Sequence, residues 1–448
     1  MSDLTPPPVP SPTNVAAEAA AEMDESQLTP TGSVRTRVSA RYIWFLILAT
    51  FGTFVALVAP IGISLSLRVQ ELAPQNTELL GYVVGAGATV GAIANPLLGM
   101  WSDHTRSRFG RRRPFALFGA IFGVAALALI AWAPNIPMLA VAWMIAQLGF
   151  SGVLSSLGLS QADRLPEEQR GKVSGLSGFV QMVASVAGVG LASAFIGNNY
   201  LVFLVPGLFC VVFVVLWVLF VHESSSVNMQ FGPRLSLGRV VAHMVFNPAK
   251  YPDFAWNWLG RLLFNFGVTF ATTFTTLFFA ARLSSGGRVA DIGGLITILS
   301  LLGVVATAGG AIAGGFLADK LRRRRVFVIS AGIAFTIGAI IMAFGGSNAA
   351  VLIIGSLITS LGLGVFSAVD MAIVLDILPE RDTEAGRFLG INNYATSLAQ
   401  AIAPIVAVPL LLIGASGVDK NYGLLFLIAA ACTLVGGTTV MVFVKGAK

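Results

Sequence analysis

The chain has 448 residues, of which 56% are hydrophobic and only 11% are charged, and its formal net charge is +7. A soluble domain normally carries about 25% charged residues, so this composition excludes a water-soluble enzyme or binding domain over most of the chain. The basic residues lie in short loops between apolar runs, which is typical of a membrane protein and excludes a nucleic-acid-binding surface.

Residues 1–40 differ in kind from the rest of the chain. They are rich in Pro, Ala, Ser and Thr, and they carry acidic residues such as Glu18 and Asp24. No apolar segment precedes Tyr42, so the pattern is not that of a signal peptide. We predict a disordered cytoplasmic tail.

Twelve apolar runs follow, each long enough to cross a bilayer as a helix of roughly 20 residues. Because an even number of spans separates the two ends, both termini lie on one side. The predicted spans are 42–66, 80–101, 114–133, 138–160, 173–196, 200–221, 254–281, 291–318, 326–345, 350–375, 388–414 and 423–444.

Loop charge predicts the orientation. The loop after the second span contains five arginines between positions 106 and 113, and the loop after the eighth span contains Lys320 and Arg322 to Arg325. The alternate loops, near 135, 198 and 346, carry almost no charge. Since basic residues stay on the inner side, we expect these basic loops and both termini to be cytoplasmic.

The polar stretch 223–253 divides the chain into two six-helix bundles, 41–222 and 254–448. It reads as a cytoplasmic linker, within which residues 235–246 could form a short amphipathic helix at the membrane interface.

Two landmarks recur in the same order in both halves. Asp319 with its basic loop lies 216 positions after Asp103, and the segment that starts at Asp376 lies 213 positions after the one that starts at Asp163. Six helices per copy give both copies the same orientation. The expected fold is therefore an all-α integral membrane protein of twelve transmembrane helices, arranged as two parallel six-helix repeats with a substrate site between them.

This organisation resembles the major facilitator superfamily from about residue 40 to residue 445. The loop Ser102-Asp103 followed by Ser107-Arg-Phe-Gly-Arg-Arg-Arg-Pro-Phe115 is similar to that of the glycoside–pentoside–hexuronide and sucrose–proton symporter branch. The resemblance implies secondary transport by alternating access.

The resemblance and the charges together predict a gate at the basic loops. A carboxylate at the end of a span accepts charge-assisted hydrogen bonds from guanidinium groups and helix N-terminal amides. The alternative is that the arginines only set topology and bind anionic lipid headgroups. The predicted gating residues are Asp103, Arg108, Gly110, Arg111, Arg112, Asp163, Arg170 and Asp319.

Ionisable residues inside spans are functional by default, because they are expensive to bury in lipid. Asp370 in the tenth span and Arg261 in the seventh predict either proton coupling through the carboxylate or a permanent structural ion pair. Members of the sucrose–proton branch resemble one another in having an aspartate where Gln147 stands here. A glutamine carries no proton, so either Asp370 couples transport to protons or the protein is a facilitator.

Uncharged polar residues within the spans are candidates for sugar binding. We rank Gln147, Asn265, Asn392 and Asn393 first, above Asn95, Gln181, Tyr394 and Gln400. The alternative role for each is hydrogen bonding between helices.

We therefore expect a monomeric, multi-pass inner-membrane transporter that moves a small polar solute, a sugar or glycoside, with protons. No nucleophile–base pair, metal constellation or P-loop is evident, so we expect neither an enzyme nor a cofactor. Two rivals remain: a proton-driven exporter of amphipathic compounds and a transporter-like receptor that does not transport.

Overall fold

The computed structural model describes residues 37–227, 245–381, 383–415 and 420–446. These residues form twelve helices long and apolar enough to cross a membrane, and no strand occurs among them. Each helix coincides with one predicted span, so the predicted fold class is confirmed. The helices are α1 (Ala40–Leu72), α2 (Thr77–Asp103), α3 (Arg113–Trp132), α4 (Ile136–Arg164), α5 (Glu167–Ala194), α6 (Leu201–Phe220), α7 (Pro252–Leu283), α8 (Val289–Leu321), α9 (Arg324–Phe344), α10 (Ala349–Asp376), α11 (Ala385–Leu412) and α12 (Tyr422–Phe443).

Most of the helices are longer than the apolar runs that predicted them, and α1 and α5 show why. α1 continues through a π-helical turn, Pro60–Ser64, and ends at Leu72. α5 begins at Glu167 instead of near 173, because its first two turns are polar but still helical. Hydropathy reports the part of a helix that sits in lipid, so it misses turns that continue into water.

The predicted internal repeat is visible in the packing. In the first half the pairs α1–α5, α1–α6, α2–α4, α3–α4 and α3–α6 are in contact. The second half repeats all five pairs six helices later, as α7–α11, α7–α12, α8–α10, α9–α10 and α9–α12. The two bundles thus share one plan, as expected of a duplicated unit.

Glycines let several helix pairs approach to backbone contact. A Cβ added to Gly149 of α4 would lie 2.6 Å from the backbone nitrogen of Gly123 in α3. One added to Gly81 of α2 would lie 2.2 Å from the carbonyl oxygen of Pro404 in α11. In lipid no hydrophobic driving force holds helices together, so the close van der Waals packing that small residues allow stabilises their association instead.

Among the described residues, the main contacts between the two halves lie at one end of the molecule. We call the end with loops 104–112 and 322–323 the basic face and the other end the opposite face. Near the opposite face α2 packs on α11 and α5 packs on α8. Near the basic face, a Cβ on Gly175 or Gly178 of α5, or on Gly386 or Gly390 of α11, would meet open space. The structure is therefore closed at the opposite face and open at the basic face.

Some expectations concern residues outside the described ranges. The predicted tail lies almost wholly within residues 1–36, and the predicted amphipathic helix 235–246 lies within 228–244 except for its last two residues. Both stay predictions.

The glycine contacts predict a stability difference between two otherwise similar substitutions. Gly149→Val forces a side chain into the α3 backbone, and overpacking of this kind costs about 1–3 kcal/mol. We expect a lower melting temperature, measured by intrinsic tryptophan fluorescence in detergent. Gly171→Val on α5, where a Cβ meets nothing within 4 Å, is the control, and equal melting temperatures for both variants would contradict the assigned packing.

Candidate functional site

A cavity of about 390 Å³ lies between the two halves near mid-membrane. Helices α1, α2 and α4 form one wall, and α7 and α11 form the other. Among the residues that the structure describes, none with a charged side chain lines the cavity, and its polar groups are amides and hydroxyls. The polar lining residues are Asn95, Gln147, Ser151, Asn265, Thr269, Thr272, Thr273, Ser397 and Gln400.

Two of the four residues ranked first for substrate binding reach this cavity. Gln147 and Asn265 line it, and the Asn265 amide also donates to the carbonyl oxygen of Arg261 at 2.8 Å. Asn392 is fully buried away from the cavity, and Asn393 is exposed but does not line it. Asn392 and Asn393 therefore do not line the cavity in this conformation.

Beside the cavity, Asp370 and Arg261 form a buried ion pair between α10 and α7. The Arg261 Nε also donates to the hydroxyl of Thr396 at 3.2 Å, and Thr396 precedes the cavity residue Ser397. The second oxygen of Asp370 accepts no hydrogen bond, although the buried side chain of Asn257 lies beside the carboxylate. The pair is thus linked to the cavity wall and retains a free acceptor.

At the basic face the predicted gating residues form a compact ion-pair network, which we call the first basic cluster. The Arg112 side chain is only 2% exposed and donates to Asp103 at 2.5 Å, to Asp163 at 3.1 Å and to Ser102 at 2.9 Å. Arg111 adds a contact to Asp163 at 2.8 Å. All of these contacts stay within the first half, so the cluster ties α2, α4 and the loop together without reaching the second half.

A residue absent from the predicted site completes this cluster. The Glu223 carboxylate accepts hydrogen bonds from the backbone N–H groups of Arg112 and Arg113, at the positively polarised start of α3. Gly110 has φ +88°, and a Cβ there would lie 2.3 Å from the Glu223 carboxyl carbon. The loop therefore needs glycine at this position.

Two predicted gating residues stand apart from the cluster. Arg108 is exposed and forms no ion pair with any residue that the structure describes. Arg170 donates from Nε to the carbonyl oxygen of Leu165 at 3.1 Å, which holds the turn between α4 and α5.

The second half contains a simpler version, the second basic cluster. Arg324 bridges Asp319 at 2.8 Å and Asp376 at 2.6 Å. Asp376 is the repeat counterpart of Asp163, yet it was not among the predicted gating residues. The recurrence of the two landmarks was the signal that could have identified it.

A further clasp at the basic face joins the end of the linker to the loop after α10. Glu380 accepts hydrogen bonds from the Tyr251 hydroxyl and, at 2.9 Å, from Lys250. These bonds lower the pKa of Glu380, with the Tyr251 bond as the largest cause. A lowered carboxyl pKa means that the contact is retained at neutral pH and lost only in acid.

At the opposite face, polar contacts hold the two halves together. Glu78 at the start of α2 and Lys420 before α12 form an ion pair of 2.9 Å, and both side chains are about 5% exposed or less. The Gln70 amide donates to the carbonyl oxygen of Gly287 at 2.7 Å and accepts from the N–H of Val289 at 2.9 Å. Sequence reasoning missed these residues, because each lies at a span end where charges are unremarkable.

Comparison with known proteins identifies the family to which this chain belongs. The sequence model of the Major Facilitator Superfamily matches residues 43–404 and 289–447. The chain belongs to the major facilitator superfamily. The crystal structure of the nucleoside transporter NupG superimposes with a TM-score of 0.72 over 90% of this chain and 99% of that chain, at 11% sequence identity. The superfamily membership identifies a multi-pass membrane transporter and not an enzyme.

Curated relatives match over short stretches. The general alpha-glucoside permease of Schizosaccharomyces pombe is 45% identical over 51 residues, which cover 11% of this chain and 9% of the permease. The proton-associated sugar transporter A of Homo sapiens is 34% identical over 108 residues, which cover 24% of this chain and 13% of that protein. These matches support the predicted resemblance to the sugar-transporting branch.

The Glu78–Lys420 pair predicts how the opposite face can be opened. Glu78→Gln removes the counter-charge of the buried Lys420, whose Nζ then keeps only neutral acceptors such as the Gln75 carbonyl oxygen at 2.9 Å. Breaking a buried ion pair costs about 3–5 kcal/mol. The reporter is a cysteine introduced at Thr272, in a background with Cys210 and Cys432 replaced by alanine. With Glu78→Gln added, we expect this cysteine to react faster with an impermeant maleimide supplied at the opposite face than it does with Glu78 present.

The matched control for this experiment is Glu71→Gln. Glu71 lies at the same face, but it pairs with Arg68 within its own half. Equal labelling rates in the Glu78→Gln and Glu71→Gln variants would contradict a closing role for the Glu78–Lys420 pair.

Proposed function

We propose that this transporter moves a neutral sugar or glycoside together with protons, by alternating access. The observation that carries the proposal is the buried Asp370–Arg261 pair, which lies directly beside a cavity lined by uncharged polar groups.

The cavity chemistry favours a neutral, hydroxylated solute. Amide and hydroxyl groups both donate and accept hydrogen bonds, as the hydroxyls of a sugar require. A charged solute would enter a cavity that offers it no counter-charge. Two of the relatives, an alpha-glucoside permease and a proton-associated sugar transporter, are named for this substrate class.

Coupling is proposed to run through Asp370, because Gln147 cannot titrate. Protonation of Asp370 removes the counter-charge of Arg261, and a buried, unpaired guanidinium must then find another partner. Arg261 already contacts Thr396 on α11 and, through its carbonyl oxygen, Asn265 on the cavity wall. A change at the carboxylate therefore alters two helices that line the cavity, and the alternative of a permanent structural pair predicts no such coupling.

Alternating access is proposed because the two faces of the protein differ in whether the halves are in contact. The present conformation is closed at the opposite face, and separation of α2 from α11 and of α5 from α8 would open it. We assign the basic face to the cytoplasm, in keeping with the positive-inside rule, so that this conformation is the inward-open one. The proposal includes a monomer in the inner membrane with both termini in the cytoplasm.

The coupling proposal predicts a specific defect in Asp370→Asn. In proteoliposomes, an inward gradient of one pH unit supports up to about tenfold sugar accumulation for one proton per solute. We expect Asp370→Asn to abolish accumulation of labelled mono- and disaccharides while sugar counterflow, which needs no net proton movement, persists.

Two variants control this test. The double variant Asp370→Asn/Arg261→Gln removes both charges and tests for damage caused by an unpaired arginine, and Glu71→Gln removes an exposed carboxylate. Uptake that is independent of the gradient in the unmodified protein would make it a facilitator. Absence of any sugar uptake would overturn the substrate assignment and direct attention to export of amphipathic compounds.

The cavity assignment predicts different effects for two glutamines on neighbouring helices. Gln147→Leu removes a side chain that lines the cavity, and loss of one hydrogen bond to substrate is expected to raise KM by about fivefold to tenfold. Gln181→Leu on α5 lies outside the cavity lining and should leave KM unchanged. Equal KM values for the two variants in sugar-uptake assays would contradict the assigned site.

A further inference from the structure

The lipid-facing side of the first half contains a groove that the transport mechanism does not use. It has a volume of about 420 Å³ and lies between α2, α3 and α4. Apart from Thr105, every residue in its lining is apolar or glycine. Phe118 and Phe122 on its rim are about 60% exposed, as expected of side chains that face acyl chains.

The groove has the length of one leaflet. It begins at Thr105 and Pro114 on the basic face and extends along α3 to Phe122. Eight helical residues cover about 12 Å, and half of the hydrocarbon core of a bilayer is about 15 Å. One acyl chain of the basic-face leaflet therefore fits along it.

Surplus positive charge lies at the basic end of this groove. Of the arginines in the loop, Arg111 and Arg112 are neutralised by Asp103 and Asp163 in the first basic cluster. Arg108 is exposed and pairs with no described carboxylate.

The same loop carries features that place it at the membrane interface. Arg106, which directly follows the groove residue Thr105, is also exposed. Trp101 and Phe109 are 65% and 68% exposed on either side of these arginines, and aromatic side chains favour the headgroup depth of a bilayer.

We propose that the groove binds one anionic phospholipid of the basic-face leaflet. An acyl chain lies between α3 and α4, and the phosphate meets Arg108. An arginine beside an apolar channel selects a charged headgroup over a zwitterionic one, because only the former keeps a net attraction to it. This assigns Arg108, which stands outside the first basic cluster, to lipid recognition.

The test is native mass spectrometry of the full chain in detergent, titrated with phosphatidylglycerol or with phosphatidylcholine of the same acyl chains. We expect preferential binding of phosphatidylglycerol. The variant Arg108→Gln should bind it about fivefold more weakly, since an arginine near an anionic headgroup contributes about that gain. Equal binding of the two lipids, or an unaffected Arg108→Gln variant, would overturn the proposal.

A second variant tests the groove independently of charge. A Cβ on Gly152 meets only ordinary contacts, the nearest being Leu98 Cδ1 at 3.7 Å, so Gly152→Leu adds apolar volume to the groove lining from a Cβ that the backbone accommodates. It should weaken phosphatidylglycerol binding by about tenfold or more. Gly158→Leu, on the same helix with open space around its Cβ and outside the groove, is the control.

Two other outcomes for Gly152→Leu would contradict lipid binding in the groove. Retained lipid binding in Gly152→Leu would overturn the assigned site. A protein that proves dimeric in detergent and becomes monomeric on Gly152→Leu would show that a second copy of the chain occupies the groove.

Discussion

A charged side chain inside a bilayer has no water to solvate it, so it is retained only with a partner. Three buried contacts in this transporter obey that constraint in different places. Arg112 sits between two aspartates at the basic face, Arg261 meets Asp370 beside the cavity, and Lys420 meets Glu78 at the opposite face. The Arg112 contacts lie within the first half and the Arg261–Asp370 contact within the second half, whereas the Lys420–Glu78 contact joins the two halves. The charges buried within each bundle are thus a separate set from the pair that joins the two halves.

Close packing at glycines shows the same division between contacts within a bundle and contacts between the two bundles. Gly149 brings α4 onto α3 within the first bundle, and Gly81 and Gly85 bring α2 onto α11 across the halves. Contacts within a bundle involve long stretches of helix, while contacts between bundles lie near one end. A structure built in this way can separate at the opposite face without loss of the packing that defines each bundle. The π-helical turn of α1 lies at this junction, where the carbonyl oxygen of Gly62 accepts a hydrogen bond of 2.6 Å from Thr276 of α7.

Several site features were predictable because local chemistry demands them. An aspartate at the end of a span, followed by arginines, predicted the contacts of Asp103, and the two ionisable residues deep in the second half predicted the Asp370–Arg261 pair. Glu223 was not predictable in this way. It lies 110 residues beyond Arg113, in a stretch that reads as a linker, and only folding brings its carboxylate to the start of α3. Asn392 and Asn393 illustrate the other difficulty, since a rotation of about 100° per residue decides which side of a helix an amide occupies.

The sequence by itself determined the number of membrane helices, the duplication and the asymmetric distribution of basic loops. These depend on hydropathy and charge summed over about 20 neighbouring residues, so they can be read without knowledge of the fold. The tertiary structure alone decided which polar residues face the cavity, which face of the protein is closed, and which arginines have carboxylate partners. Those properties depend on how each helix is rotated and on contacts between residues far apart in the chain, and no local pattern encodes them.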